Sequence, residues 1–136
     1  METYFLENNV QIIYITASSF PAGVLAAHQK VHALIPYSAQ RRYFGISRPE
    51  NAGIIVYRAA AEELIQGEAK ELGLETLLLK KGNYISTVIK NYQEDVSAIE
   101  RGFSILLKTP NIDPQGYCVE WYINDKDVQC MVRLVE

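Results

Sequence analysis

Hydrophobic and polar positions alternate from Val10 to Thr16, a run dense in Ile and Tyr, and this period of two predicts a strand ending at the Ser18-Ser19 turn. The period then lengthens. After Pro21, which suits the first turn of a helix, Val24, Leu25, His28, Val31, His32 and Ile35 fall on one stripe of a 3.6-residue repeat, and Pro36 stops the pattern. The segments 43–47 and 54–57 flank the turn-forming residues Arg48-Pro49-Glu50-Asn51-Ala52-Gly53, which predicts a hairpin. Residues 59–72 favour helix, but Gly67 divides them, so a short helix or ordered connection is expected. The segments 76–79 and 84–89 enclose Lys80-Lys81-Gly82-Asn83, read as a further turn. A second amphipathic helix is predicted from about Glu94 to Lys108, with Val96, Ile99, Phe103 and Leu106 on one stripe and Pro110 and Pro114 ending it.

The chain closes on two β-favouring runs, Tyr117 to Ile123 and Val128 to Leu134, around the polar cluster Asn124-Asp125-Lys126-Asp127. Pairing Ile123 with Val128 would set Trp121 opposite Cys130 and Val119 opposite Val132, an apolar face. Cys118, Glu120, Tyr122, Gln129, Met131 and Arg133 would occupy the other. Glu120 is the one acidic residue within either strand. Two environments suit a carboxylate among aromatics: a solvated face with an ion pair to Arg133, or the floor of an aromatic pocket under a second layer.

Residues 10–58 read strand, helix, hairpin, and residues 84–134 repeat that order without repeating the sequence. The expected fold class is α+β: one domain over 1–136 in which two strand-helix-strand-strand modules form an antiparallel sheet, with both helices on one face and a ligand groove between them.

At 136 residues the chain can bury roughly two thirds of its unfolded surface, enough for a true core. The net charge of −3, with both signs mixed, argues against nucleic-acid binding or a polybasic membrane patch and favours a neutral or cationic partner. Cys118 and Cys130 would lie on opposite faces of the last hairpin and read as small buried apolar residues in a reducing compartment. The segment Met1 to Glu7 is acidic and lacks a long apolar run, so neither a signal peptide nor a spanning helix is expected, and the location expected is cytoplasmic.

The order of elements, Gly82-Asn83-Tyr84 before the second module, and Asp113-Pro114-Gln115-Gly116 leading into Val119-Glu120-Trp121-Tyr122 resemble the GyrI-like effector-binding domains. That family includes the C-terminal ligand-binding domains of multidrug-responsive transcription activators, and the resemblance covers residues 10–134. It implies a stand-alone domain of two strand-helix-strand-strand modules whose Glu120 faces inward to meet lipophilic cations, with tyrosines lining the groove. Tyr57, Tyr84 and Tyr122 are the aromatic candidates, with Phe44 and Trp121 as further ones. Alternation along the strand sets Trp121 opposite Glu120. Arg48, Arg58 and Arg133 depart from the pattern, since any of them could neutralise the carboxylate internally.

His28 and His32 lie one turn apart on the apolar side of the first helix. Two histidines fall short of the three or four ligands of a stable zinc site, so packed histidines able to touch a ligand are expected, with no metal and no cofactor. The pair also raises a haem alternative, through a related haem-associated family similar to this double-module fold. The leading expectation is a small-molecule effector-binding or sequestering protein, with a DNA-binding regulator or a second copy of the chain as partner candidates. An alternative class is a hydrolase that detoxifies electrophilic small molecules, in which Glu120 activates water and Tyr84 or Tyr122 donates a proton. A third, inhibition of a larger enzyme such as gyrase, is implied only by the family name.

Overall fold

The computed structural model describes residues 1–50 and 52–135. Eight strands form one antiparallel sheet: β1 (Glu2–Leu6), β2 (Val10–Thr16), β3 (Tyr43–Glu50), β4 (Ile54–Glu62), β5 (Glu75–Leu79), β6 (Gly82–Ile89), β7 (Cys118–Tyr122) and β8 (Val128–Arg133). Three helices accompany them: α1 (Val24–Leu34), α2 (Glu68–Leu72) and α3 (Ser97–Leu106), with a 3-10 turn at Tyr92–Glu94. The fold is mixed and dominated by its sheet.

The strand order is β1-β6-β8-β7-β3-β4-β2-β5. The turn read at residues 80–83 does not close a hairpin. β5 pairs with β2 at one edge, whereas β6 pairs with β1 and β8 near the other, and only Lys80 and Lys81 join them. So short a connection can cross the sheet only if the sheet curls until its edges converge. The Lys81 amide, bonded to Asn9 Oδ1 at 2.8 Å, stitches that junction. The curl also explains the core on the concave face, to which Leu6, Ile12, Phe44, Ile46, Ala60, Leu79, Tyr84, Val119 and Met131 bring side chains from all eight strands.

The convex face carries the helices. Ala27, Val31 and Ile35 seat α1 and the residue following it on β2 and β4, against Ile13, Tyr57, Ala59 and Ala61. Phe103 and Leu106 seat α3 on β6 and β8, against Ile85, Val128, Cys130 and Val132. Leu25 and Val96, expected on the buried stripes, are exposed, because α1 and α3 begin only at Val24 and Ser97 and turn other residues inward. Residues 59–62 are strand, not helix: Ala59 and Ala61 pack under α1 while Ala60 enters the concave core, and this burial on both faces outweighs alanine's helical preference. Of the expected turn 48–53, Asn51 lies outside the described residues.

The last hairpin is shifted by one residue from the expected pairing. Tyr122 pairs with Val128, Glu120 with Cys130 and Cys118 with Val132. A one-residue slip exchanges every side chain between faces. Glu120 and Tyr122 therefore share the helix-bearing face with Val128, Cys130 and Val132, while Val119, Trp121, Gln129 and Met131 face the concave side. Cys118 and Cys130, expected on opposite faces, lie on the same one.

Candidate functional site

In the strand order, β7 and β3 lie between the pair of strands under α3 and the pair under α1. Side chains on the convex face of these two strands thus sit in a seam between the helices. Glu120 from β7 is there, opposite Gly45 of β3. Tyr57 on β4 reaches in from the α1 side, and Tyr122 stands two residues along β7 from Glu120.

Both phenols converge on one carboxylate oxygen. Tyr57 donates to Glu120 Oε1 at 2.9 Å, and Tyr122 donates to the same oxygen; the two hydroxyl oxygens are 3.5 Å apart. Among the described residues nothing donates to Oε2. His28 places Nε2 2.7 Å from the Tyr57 hydroxyl and sets its ring edge-on to Tyr57 and Tyr122, at centroid distances of 5.7 and 5.3 Å. Phe20 stacks on Tyr57 at 5.8 Å, and Tyr92 meets Tyr122 edge-on at 5.6 Å. An aromatic and imidazole wall thus surrounds the carboxyl group of Glu120, a residue only 9% exposed.

A glycine makes this approach feasible. A Cβ built on Gly45 would lie 1.9 Å from the Tyr57 hydroxyl oxygen and 2.9 Å from Glu120 Oε1. A glycine inside a strand often marks a place where another group comes close, and that was the available signal for Gly45, which the sequence reading did not use. Phe20 and Tyr92 were also missed. Phe20 lies just before α1 and Tyr92 opens a single 3-10 turn, where periodicity carries no information.

Burial dominates the electrostatics. It pushes the Glu120 carboxyl above its ordinary range, and the bonds from Tyr122 and Tyr57 offset only part of that rise. Burial and the neighbouring carboxylate raise both phenols above their usual value, and they keep their protons. His28 falls to about 4, chiefly through burial and secondarily through repulsion from His32, so it is neutral at ordinary pH. Cys118 and Cys130 are pushed up to about 11 and about 12 by burial first and Glu120 second.

The arginines that could have neutralised Glu120 are engaged elsewhere. Arg58 and Arg48 both bind Glu50, at 2.7 and 3.3 Å, and Arg133 binds Asp113 at 3.1 Å. No salt bridge to Glu120 occurs among the described residues.

The structure divides the expected site residues into two sets. Glu120, Tyr57, Tyr122 and His28 come together. Phe44, Tyr84 and Trp121 lie on the concave face, where Tyr84 donates to the Lys80 carbonyl and Trp121 packs on Tyr4 and Phe44. The physical reason is strand alternation: Phe44 follows Tyr43 and precedes Gly45, and Trp121 lies between Glu120 and Tyr122, so each points away from the seam. His32 is exposed and lies against Tyr43 at 5.0 Å, one turn beyond His28. Among the described residues no group of three His, Cys, Asp or Glu side chains could hold a metal ion, and no helix is long and apolar enough to cross a membrane.

No family model matches the chain, and the search of curated proteins found no significant match. Its fold does match solved structures. An integron cassette protein from the mobile metagenome of Vibrio cholerae superposes with a TM-score of 0.70 at 9% identity, over 98% of this chain and 95% of that one. A hydrolase from Listeria innocua superposes at 0.63 and 10% identity, over 98% and 90%. A protein from Staphylococcus aureus described as a bacterial transcription regulation protein superposes at 0.57 and 12% identity, over 97% of each chain. These likenesses establish a shared fold, one compatible with the GyrI-like resemblance.

Proposed function

We propose that this chain binds lipophilic cationic small molecules in the seam between α1 and α3, as an effector-binding or sequestering protein of the transcription-regulator type. The observation that carries the reading is Glu120: a carboxyl group buried among aromatic rings, with each of the three candidate arginines paired to another acid. An ionised carboxylate out of water is unfavourable by several kcal/mol unless it is paired. A ligand cation would supply the missing charge, and the faces of Tyr57, Tyr122 and Phe20 would each add about 0.5–2 kcal/mol of cation–π attraction or apolar contact. Because a cation lowers the carboxyl pKa again, binding should strengthen as pH rises. A solved relative in fold is described as a transcription regulation protein, which fits such a role, and the chain's net charge of −3 leaves DNA contact to a partner.

The test is calorimetry with N-methylacridinium and its neutral counterpart acridine. Glu120→Gln keeps the shape but removes the ion pair, so the cation should bind about tenfold to a hundredfold more weakly while acridine is unchanged. Equal losses for both would mean that Glu120 acts through structure.

A second reading is favoured by the raised carboxyl and the two phenols bonded to it. Such a set could hydrolyse an electrophilic small molecule. Glu120 would take a proton from water as its oxygen bonds to the electrophilic carbon, and a phenol would protonate the leaving atom as its bond breaks. Consumption of ligand, abolished in Glu120→Gln while binding survives, would select this reading over the first.

A further inference from the structure

Counting protons around the Tyr57 hydroxyl decides which group donates to which. Tyr57 and Tyr122 each carry one hydroxyl proton, and both are directed at Glu120 Oε1. With Glu120 ionised, Tyr57 then has no proton left for His28, whose Nε2 lies 2.7 Å away, so the imidazole is the donor there and carries its proton on Nε2. If His28 instead presented a lone pair there, the Tyr57 proton would turn toward it and Oε1 would lose one of its two donors.

We infer that His28 is a positioning residue for the carboxylate: its Nε2–H directs the Tyr57 proton onto Oε1, so both phenols are committed to that oxygen and Oε2 receives the ligand's positive charge. This inference rests on the binding reading above. It assigns His28 a different task from the ligand contact expected of it. A donor bonded to the Tyr57 oxygen also polarises the Tyr57 O–H and strengthens its bond to the carboxylate. His28 thereby favours the ionised form of Glu120 without touching it. The edge-on packing of the imidazole against Tyr57 and Tyr122 holds the ring in the orientation this task needs.

The titratable groups facing Glu120 are Tyr57 from β4, Cys118 and Tyr122 from its own strand, Cys130 from β8, and His28 from α1, with Tyr92 beyond Tyr122 and His32 beyond His28. Burial holds the two thiols and the two phenols well above neutral pH, and His28 titrates near 4. A midpoint in cation affinity above that value that disappears in Glu120→Gln therefore reports on Glu120.

The experiment measures N-methylacridinium and acridine affinities against pH for the wild type, His28→Leu, His28→Gln and Glu120→Gln. His28→Leu should weaken N-methylacridinium about threefold to tenfold and move the midpoint of its pH profile upward. His28→Gln, whose amide N–H can donate in place of the imidazole, should restore both. Acridine, compared above neutral pH where its ring nitrogen is unprotonated, should bind all the His28 variants as it binds the wild type. Equal losses for Leu and Gln, a loss shared by acridine, or an unmoved midpoint would overturn the assignment. If Glu120→Gln weakens the cation but His28→Leu does not, only the role of His28 falls. If Glu120→Gln leaves cation affinity unchanged, the binding reading falls and the role of His28 falls with it.

Discussion

Gly45 and Tyr57 occupy the same space in alternative sequences: a methyl group on Gly45 would lie 1.9 Å from the Tyr57 hydroxyl oxygen and 2.7 Å from Cζ of the same ring. The two residues sit on adjacent strands, and the missing side chain of one admits the hydroxyl of the other. Only with this gap open can Tyr57 reach across to Oε1 of Glu120.

Gly45→Ala should therefore displace Tyr57, reduce cation affinity and lower stability by about 1–3 kcal/mol, the usual range for overpacking a filled interior. The penalty belongs to the pair. In a Tyr57→Leu background, where the ring and hydroxyl are gone, the same change should have much less effect. Thermal denaturation of the four proteins in this cycle measures the coupling, and additive losses would show that Gly45 matters for some other reason.

How much of this was legible from the sequence depended on the kind of signal. Ile99, Phe103 and Leu106 mark α3 because helical periodicity is local, and the same holds for Val31 and Ile35 at α1. Turn chemistry at Lys80 and Lys81 shows where the chain reverses but not which strand it then joins, so a turn was legible there and the edge-crossing connection was not. Ala59 to Ala61 favour helix in isolation and become strand because α1 covers Ala59 and Ala61 on one face and the concave core takes Ala60 on the other. The short β1, with its exposed Glu2 and Thr3, gave no clear alternation. Glu120 stood out as the one acid within the strands of its hairpin, yet the register that brings it onto one face with Cys118, Tyr122 and Cys130 differed from expectation by one residue. Alternation then decided the fate of the aromatic candidates: Tyr57 and Tyr122 share that face, and Phe44, Tyr84 and Trp121 do not.

The buried carboxyl makes stability depend on pH in a specific direction. Glu120 has a folded-state pKa above its ordinary value of 4.5, so the folded protein binds more protons than the unfolded chain between those two values. Its contribution is favourable below about 4.5 and is lost as pH rises through the folded-state pKa. Glu120→Gln should remove that loss. The variant should melt above the wild type near pH 8 and close to it near pH 4. A variant less stable than the wild type at the higher pH would show that the ionised carboxylate is well satisfied in the free protein.

Cys118 and Cys130 flank Glu120 but should be chemically quiet. Their thiols are pushed up to about 11 and about 12, which leaves almost no thiolate at neutral pH, and Cys130 is fully buried. A thiol-reactive disulfide reagent should label neither residue quickly in the native protein and both after denaturation. Fast native labelling at Cys118 would mean that the seam opens to reagents of that size.

His28 adds a second pH dependence of opposite sign. Its pKa falls from 6.5 in the unfolded chain to about 4 in the fold, so between those values the unfolded chain binds the extra proton. The stability tied to the neutral ring is complete above about 6.5 and is lost as pH falls toward 4. Its full size is about 3–4 kcal/mol, from 1.36 kcal/mol per pKa unit. His28→Gln keeps a donor for Tyr57 but cannot take up a proton, so it should flatten this limb of the stability profile while Glu120 continues to shape the rest. Denaturant unfolding at several pH values across the interval, in wild type and variant, reads the difference directly. If the wild type lost no more stability than His28→Gln between the two values, the imidazole would be titrating freely and could not be the fixed neutral donor that the Tyr57 hydroxyl requires.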